Sequence, residues 1–500
     1  MSGETAAVAD KRLHPGTIAV RFLKEAPRTL IGLPAVLALM SDVGWGLIAL
    51  LVLLSVVVLG FTQWLAWRRF QYGVGASEIL IESGLFSRNR RSIPFERIQD
   101  LDIERGPLHR LFGLAKIKIE TGAGGKDEGV LDSVTLREVD RLRQAIRAGQ
   151  VGVAEKTGLS PDLPLQPESR MVFAMGPGRV LASGPFNFSL LWVAGLFGLL
   201  QTFDDWLPFD LYDAERWIGL AEQRLPGRIA VSAILAGLVL AFLLGFLTGI
   251  VRTTLRDWGF RLLVEGKRLR RVRGLFTRTE VVIPKRRVQL ALLATGPLRR
   301  SLGIFELMLQ TLGSGQGQGG LQTAAPFART PEVDAIVAEL PGLRLPGHTA
   351  LEQVSSRHIL RSAIRVMLLP ALAIGVSAVW RPEALYFLPL LPLLLGGAFL
   401  GRRYHRYALS GELLFVQAGF WRRRMWALPV ANAQTVSVSR SFLQRRLGLA
   451  TLSIDTAGAP LLGGPRIVDL RMERARELRD AILGTLRQGR GRPDENGGLR

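Results

Sequence analysis

The residue types that usually carry catalysis are sparse in this chain and spaced for none of it. Five histidines, His14, His109, His348, His358 and His405, form no HExxH or other metal-ligating pattern. The chain has no cysteine, which excludes thiolate nucleophiles, disulfides and cysteine-ligated zinc. The segment GAGGK (122–126) ends on a lysine as a phosphate loop does, but Asp127 stands where that loop needs Ser or Thr, so it reads as a hairpin loop. GSGQGQGG (313–320) has no lysine and reads as a flexible loop. No GxSxG nucleophile elbow occurs. Between residues 201 and 227, Asp204, Asp205, Asp210, Asp213, Glu215 and Glu222 face only Arg216 and Arg224; this cluster could attract a divalent cation but reads as a solvated loop. No catalytic, cofactor or metal site is expected.

The chemistry that remains is positive charge. Sixty-four Lys and Arg against 42 Asp and Glu give a formal net charge of +22. The basic residues cluster in three regions. Arg88, Arg90 and Arg91 form the first; Lys267, Arg268, Arg270, Arg271 and Arg286 the second; Arg422 and Arg423 the third. Arg110, Arg300 and Arg445 recur at one position in a thrice-repeated pattern. Each cation held near an anionic leaflet contributes roughly 1 kcal/mol of attraction. The same charge could instead serve only topology and solubility, and both readings stay open.

The elements that position these residues are repeated. Gly84, Pro94, Gln99, Leu108, Gly113 and Thr121 recur as Gly274, Pro284, Gln289, Leu298, Gly303 and Thr311, and again as Gly419, Pro429, Gln434, Leu443, Gly448 and Thr456. EILIESG (78–84) alternates like a strand and ends on a glycine suited to a hairpin turn. The proline of SIPFERIQDLDI fits a strand start or edge. A short helix follows, with apolar pairs Leu108/Phe112, Leu298/Leu302 and Leu443/Leu447 on one face and Gly113, Gly303 or Gly448 as its stop. His109 aligns with Arg299 and Gln444, and reads as a residue on the surface of that helix. The next strand turns Ala115/Ile117/Ile119, Phe305/Leu307/Leu309 or Ala450/Leu452/Ile454 inward. Amphipathic helices at 136–146, 331–340 and 472–482 close the copies. Each module of about 80 residues is expected to be a small β-sandwich or barrel plugged by one helix.

Between the modules lie apolar runs at 26–43 and 47–67, 188–203 and 229–251, 364–380 and 384–400. They read as six transmembrane helices in three hairpins, of which 47–67 and 229–251 best match the roughly 20 residues a bilayer core demands. Arg68, Arg69, Arg252, Arg256, Arg402 and Arg403 follow the second helix of each pair, so the positive-inside rule places the modules and both termini in the cytoplasm. The expected organisation is a segment 1–25, hairpin 26–67, module 68–150, linker 151–187, hairpin 188–252, module 253–342, linker 343–363, hairpin 364–401, module 402–485 and a disordered tail 486–500.

Gly-(Leu/Phe)-(Phe/Trp), Ile-Pro, Ile-Gln, Leu-x-Arg-x-(Phe/Leu)-Gly-Leu and Ile-x-Thr in succession resemble the bacterial pleckstrin-homology-like domain of the second type. The arrangement of hairpins and copies, from about Arg12 to Leu486, resembles the YdbT-like membrane proteins. Copy two departs by its glycine-rich insertion, copy three by Leu428 before the proline and VANAQ for FERIQ. The resemblance implies cytoplasmic PH-like domains, a smaller single-domain membrane protein as partner, and no defined activity. The expectation is therefore a non-enzymatic protein of the bacterial inner membrane. Its three modules would bind proteins, anionic lipids or both, with avidity from their linkage, in envelope stress or antimicrobial resistance. Nucleic acid is not expected, because no stacking aromatics are arranged among the basic residues. The alternative is a transporter or export component whose six helices form a pathway regulated by the modules.

Overall fold

In the computed structural model the described residues are 9–26, 45–84, 87–121, 129–156, 169–188, 227–312, 320–347, 349–457 and 464–490. The first apolar segments of hairpins one and two, the acidic outer loop and both glycine-rich loops lie outside them, wholly or nearly so, as do residues 491–500; residues 486–490, expected as part of a disordered tail, instead continue helix Met472–Arg490.

Among the described residues, twenty-one strands fall into three sets of seven. Module one contains β1 (Lys11–Arg12), β2 (Gln71–Val74), β3 (Glu78–Ser83), β4 (Asn89–Pro94), β5 (Ile98–Arg105), β6 (Leu114–Thr121) and β7 (Val130–Thr135). Module two contains β8 (Ser169–Ala174), β9 (Arg261–Glu265), β10 (Arg268–Arg273), β11 (Arg278–Pro284), β12 (Val288–Thr295), β13 (Ile304–Thr311) and β14 (Leu321–Arg329). Module three contains β15 (Glu352–Gln353), β16 (Arg406–Ser410), β17 (Leu413–Ala418), β18 (Arg423–Pro429), β19 (Ala433–Ser439), β20 (Leu449–Thr456) and β21 (Arg466–Arg471). The first strand of each set precedes the apolar segment of its module. Lys11 pairs with Tyr72 and Arg12 with Gln71, while Glu352 pairs with Tyr407 and Gln353 with Arg406. An apolar segment is thus inserted between the first and second strands of each module.

Alternation builds the cores, and that of module three also takes in Leu290, Leu292, Ala294 and Met308 from module two. In module one Tyr72, Ile79, Ile81 and Ile93 from the first four strands meet Ile103, Ile117, Ile119 and Leu131 from the last three. Helix Leu136–Lys156 closes that core with Val139, Leu142 and Ile146, spaced as one helical face. Helix Met472–Arg490 does the same for module three with Ala475, Leu478 and Ile482.

The modules are joined through their sheets. One seven-stranded sheet runs β7-β6-β5-β11-β10-β9-β8, three strands from module one continued by four from module two. A second runs β14-β13-β12-β18-β17-β16-β15 and joins module two to module three in the same way. A four-stranded sheet β1-β2-β3-β4 and a three-stranded sheet β19-β20-β21 remain at the two ends.

The chain divides into two compact units, one of residues 1–172, 262–271 and 280–500, the other of 173–261 and 272–279. In the second unit, helix Gly227–Asp257 packs against helix Pro177–Ser183 and the turn after it. A Cβ on Gly249 would sit 2.7 Å from the Gly184 carbonyl oxygen, so small residues set this close approach. Four helices among the described residues are long and apolar enough to cross a membrane: Leu50–Arg69, Leu235–Asp257, Arg357–Trp380 and Pro382–Tyr404. Leu53, Val57 and Phe61 on the first are more than half exposed, a surface suited to lipid rather than water. Both helices of hairpin three are described and pack together; the other two of the six expected helices lie outside the described residues.

Candidate membrane-facing anion site

In modules one and three a carboxylate ties the module to the helical segment that follows its first strand. In module three, Asp469 is fully buried and accepts from His358 Nδ1 at 2.7 Å, Arg361 Nε at 2.8 Å and Gln444 Nε2 at 2.7 Å. His358 and Arg361 belong to the first helix of hairpin three, Gln444 to the short helix Phe442–Arg446. Burial alone would raise the Asp469 carboxyl; the His358 and Gln444 hydrogen bonds and the Arg361 charge outweigh it and hold it below the ordinary carboxylate range. In module one, Asp132 plays this part for Arg21 Nε and His109 Nε2, each at 3.1 Å. The expectation of His109 on the helix surface is therefore corrected: it is 1% exposed, turned inward by a carboxylate that the next hairpin brings from 23 residues away. Asp132 and Asp469 are not aligned in the repeat; Ser133 is the residue equivalent to Asp469, and both have positive φ, 70° and 64°. That bulge lets carboxylates at neighbouring positions reach equivalent places. In module two Arg299 lies over the Phe327 ring and approaches Glu306 Oε2 at 4.0 Å, while the fully buried Asp257 at the end of helix Gly227–Asp257 accepts from Arg273 at 3.1 Å.

His405, just beyond hairpin three, is buried near His358, and desolvation followed by that neighbour pushes it down to about 4. Its unfolded value is about 6.5, so between the two the unfolded chain takes up a proton that the folded one refuses. This stabilisation is complete above pH 6.5 and is lost as pH falls towards 4, by up to about 3 kcal/mol. Thermal unfolding midpoints of the detergent-purified chain should drop across that window, and His405→Gln should flatten the drop.

The structure sorts the thirteen basic positions. Arg271 is 3% exposed and donates to the Thr323 carbonyl and Gln322 Oε1; Arg270 is paired with Glu265 and Glu280. These two brace β10 and are not offered to a ligand. Arg90 pairs with Glu82 at 3.4 Å, and Arg422 approaches Glu306 at 3.4 Å while staying 58% exposed. Arg88, Arg91, Arg110, Lys267, Arg268, Arg286 and Arg445 are exposed. Arg300 and Arg423 converge on the Tyr404 ring, with guanidinium carbons 5.6 and 4.2 Å from its centroid. Burial, and next the Arg300 charge, lowers the Arg423 pKa.

One place combines charge with a concavity. A cleft of about 330 Å³ is lined by Arg12 of β1, Leu65, Arg68 and Arg69 at the end of the first described membrane helix, Gln71, and Glu82, Ser83, Gly84 and Arg88 around the β3–β4 turn. Sequence reasoning picked Arg88 but could not associate it with Arg12, which is brought there only by the strand ahead of the hairpin. Exposed apolar side chains stand beside basic ones at equivalent turns and helices: Phe276, Trp421, Leu111, Leu298 and Phe442. The short-helix residues Leu298 and Leu302 are 70% and 59% exposed, so their shared face points outward. Among the described residues no three His, Asp or Glu side chains group as a metal site requires.

Repeated β-rich modules, each interrupted by apolar helices and carrying basic, apolar-tipped turns, define a membrane protein built from PH-like domains. The family model for the Bacterial PH domain matches residues 28–150, 209–344 and 357–485, and the chain belongs to that family. It is similar to the transmembrane protein YdbT of Bacillus subtilis (strain 168), 23% identical over 472 residues that span 89% of this chain and 92% of that protein. It is also similar to the transmembrane protein YdbS of the same organism, 38% identical over 80 residues, 16% of this chain and 46% of that one. No solved structure matches.

Proposed function

We propose that this is a non-enzymatic reader of anionic membrane surface, held in the bacterial inner membrane with its PH-like modules on the cytoplasmic side. The cleft where Arg12, Arg68, Arg69 and Arg88 meet at the end of a membrane helix carries the reading. Its place beside Leu65 suits a phospholipid whose chains lie along the helix and whose phosphate lies among guanidinium groups, geometry that arginine serves well. The exposed aromatic and leucine tips would enter the interfacial layer alongside. Transport is less well supported. The ionisable residues of helix Arg357–Trp380, namely Arg357, His358, Arg361 and Arg365, all lie in its first ten residues, at the module end rather than at mid-span.

Native mass spectrometry of the detergent-purified chain should show retained phosphatidylglycerol in preference to phosphatidylcholine. Arg12→Glu/Arg88→Glu should cut that retention by about thirtyfold, or about 2 kcal/mol for two lost attractions. Equal retention of both lipids, or an unchanged double variant, would remove this assignment.

A further inference from the structure

The two internal junctions obey one rule: β5 lies beside β11, and β12 beside β18, so that three strands of one module and four of the next make seven. By the repeat, β19 is the equivalent of β5 and β12, and β4 is the equivalent of β11 and β18. Among the described residues no strand pairs with the outer edge of β19 or of β4. The three- and four-stranded end sheets therefore correspond, strand for strand, to the two halves of each seven-stranded sheet. We propose that copies of this chain join head to tail, β19 of one copy pairing antiparallel with β4 of the next.

A second observation points the same way. Arg287 donates to the Thr121 carbonyl at 3.4 Å and Asn432 to the Gln289 carbonyl at 2.9 Å, each reaching back from its own module to the preceding one. The equivalent residue of module one, the first of the three, is Arg97, which is exposed. In the assembly Arg97 takes up that bond across copies.

The register follows from the observed one, in which Leu292 faces Trp426, Leu293 faces Met425 and Ala294 faces Arg424. Transposed by the repeat, Ser437 faces Arg91, Val438 faces Arg90 and Ser439 faces Asn89. These pairs set no like charges against each other. By contrast, β4 against another β4 would bring Arg90 and Arg91 together, and a charged edge opposes such pairing. The polar outer face of β19, with Thr435, Ser437 and Ser439, is no obstacle. β5 carries Asp100, Asp102 and Glu104 at the equivalent positions and still has β11 beside it. Such a contact is heterologous and directional, so it propagates into a ring or a row of copies.

The cysteine-free sequence makes the test clean. Asn89→Cys and Ser439→Cys are made as separate single variants, co-expressed, and oxidised in native membranes. A disulfide-linked dimer is expected in the mixture and in neither variant alone; with both cysteines in one chain, a ladder of multimers is expected. Ala294→Cys/Arg424→Cys, which links a junction present within the chain, is the positive control for oxidation and should close internally. Absence of the mixed dimer while that control closes would overturn the proposal. So would dimers from Ser439→Cys alone, the sign of a symmetric β19 pair, or a cross-link from Ser439→Cys to a different protein. Lipid retention by the monomer is a separate readout, so failure here leaves the lipid reading standing.

Discussion

Asp469→Ala is expected to destabilise module three by about 3–5 kcal/mol, the usual cost of removing one partner from a buried ionic cluster. The loss strands Arg361, His358 and the Gln444 amide, all within 2.8 Å of the carboxylate and all buried. The cluster ties a membrane helix, a short helix and a strand together, so its failure should also free hairpin three from the module. Limited proteolysis of the purified chain should then cut near residue 355, where the Ser355 amide bonds to the Asp469 carbonyl. Asp469→Asn keeps an acceptor and should cost less. Equal stability of Asp469→Ala and the parent chain would show that the cluster contributes nothing net, as happens when desolvation cancels attraction.

Gly274→Ala should be the other severe substitution. Gly274 has φ +111°, and an added Cβ would lie 2.0 Å from the Thr277 carbonyl oxygen, a backbone atom that cannot swing away. Strain of this kind costs about 1–3 kcal/mol before the clash is relieved, and relief means opening the turn that carries Phe276. Gly303→Asn is the control: its φ is +65° with nothing within 4 Å of a Cβ, a conformation asparagine tolerates. Chemical denaturation of both variants should separate them by at least about 2 kcal/mol. The turn glycines Gly84 and Gly419 meet the same obstacle, at 1.8 and 2.2 Å from the carbonyls of Ser87 and Arg422.

These two sites show which parts of the structure were legible beforehand. The turn glycines stand at fixed spacing in all three copies because the φ they supply is a local need, met by residues three apart. Inward strand faces such as Ala115, Ile117 and Ile119 were readable for the same reason, since alternation depends only on neighbours along the chain. Asp469 was invisible: its partners come from positions 358, 361 and 444, and its counterpart Asp132 is out of register with it by one residue. The fate of the arginines was equally hidden. Arg270 and Arg271 look like Arg268 in the sequence, and only the strand's pleat and the carboxylates nearby decide which are spent internally.

By itself the sequence determined the triplication, the apolar segments long enough to cross a bilayer, the inner faces of the strands and the closing helices, because each is a periodicity or a length. Tertiary structure alone decided that an apolar segment interrupts each module after its first strand, that neighbouring modules share sheets, and that Arg12 joins Arg88 in one cleft. Strands of two residues such as β1 and β15 carry no period to detect. Pairings such as Leu292 with Trp426 are backbone hydrogen bonds between distant segments, and those leave almost no mark on residue type.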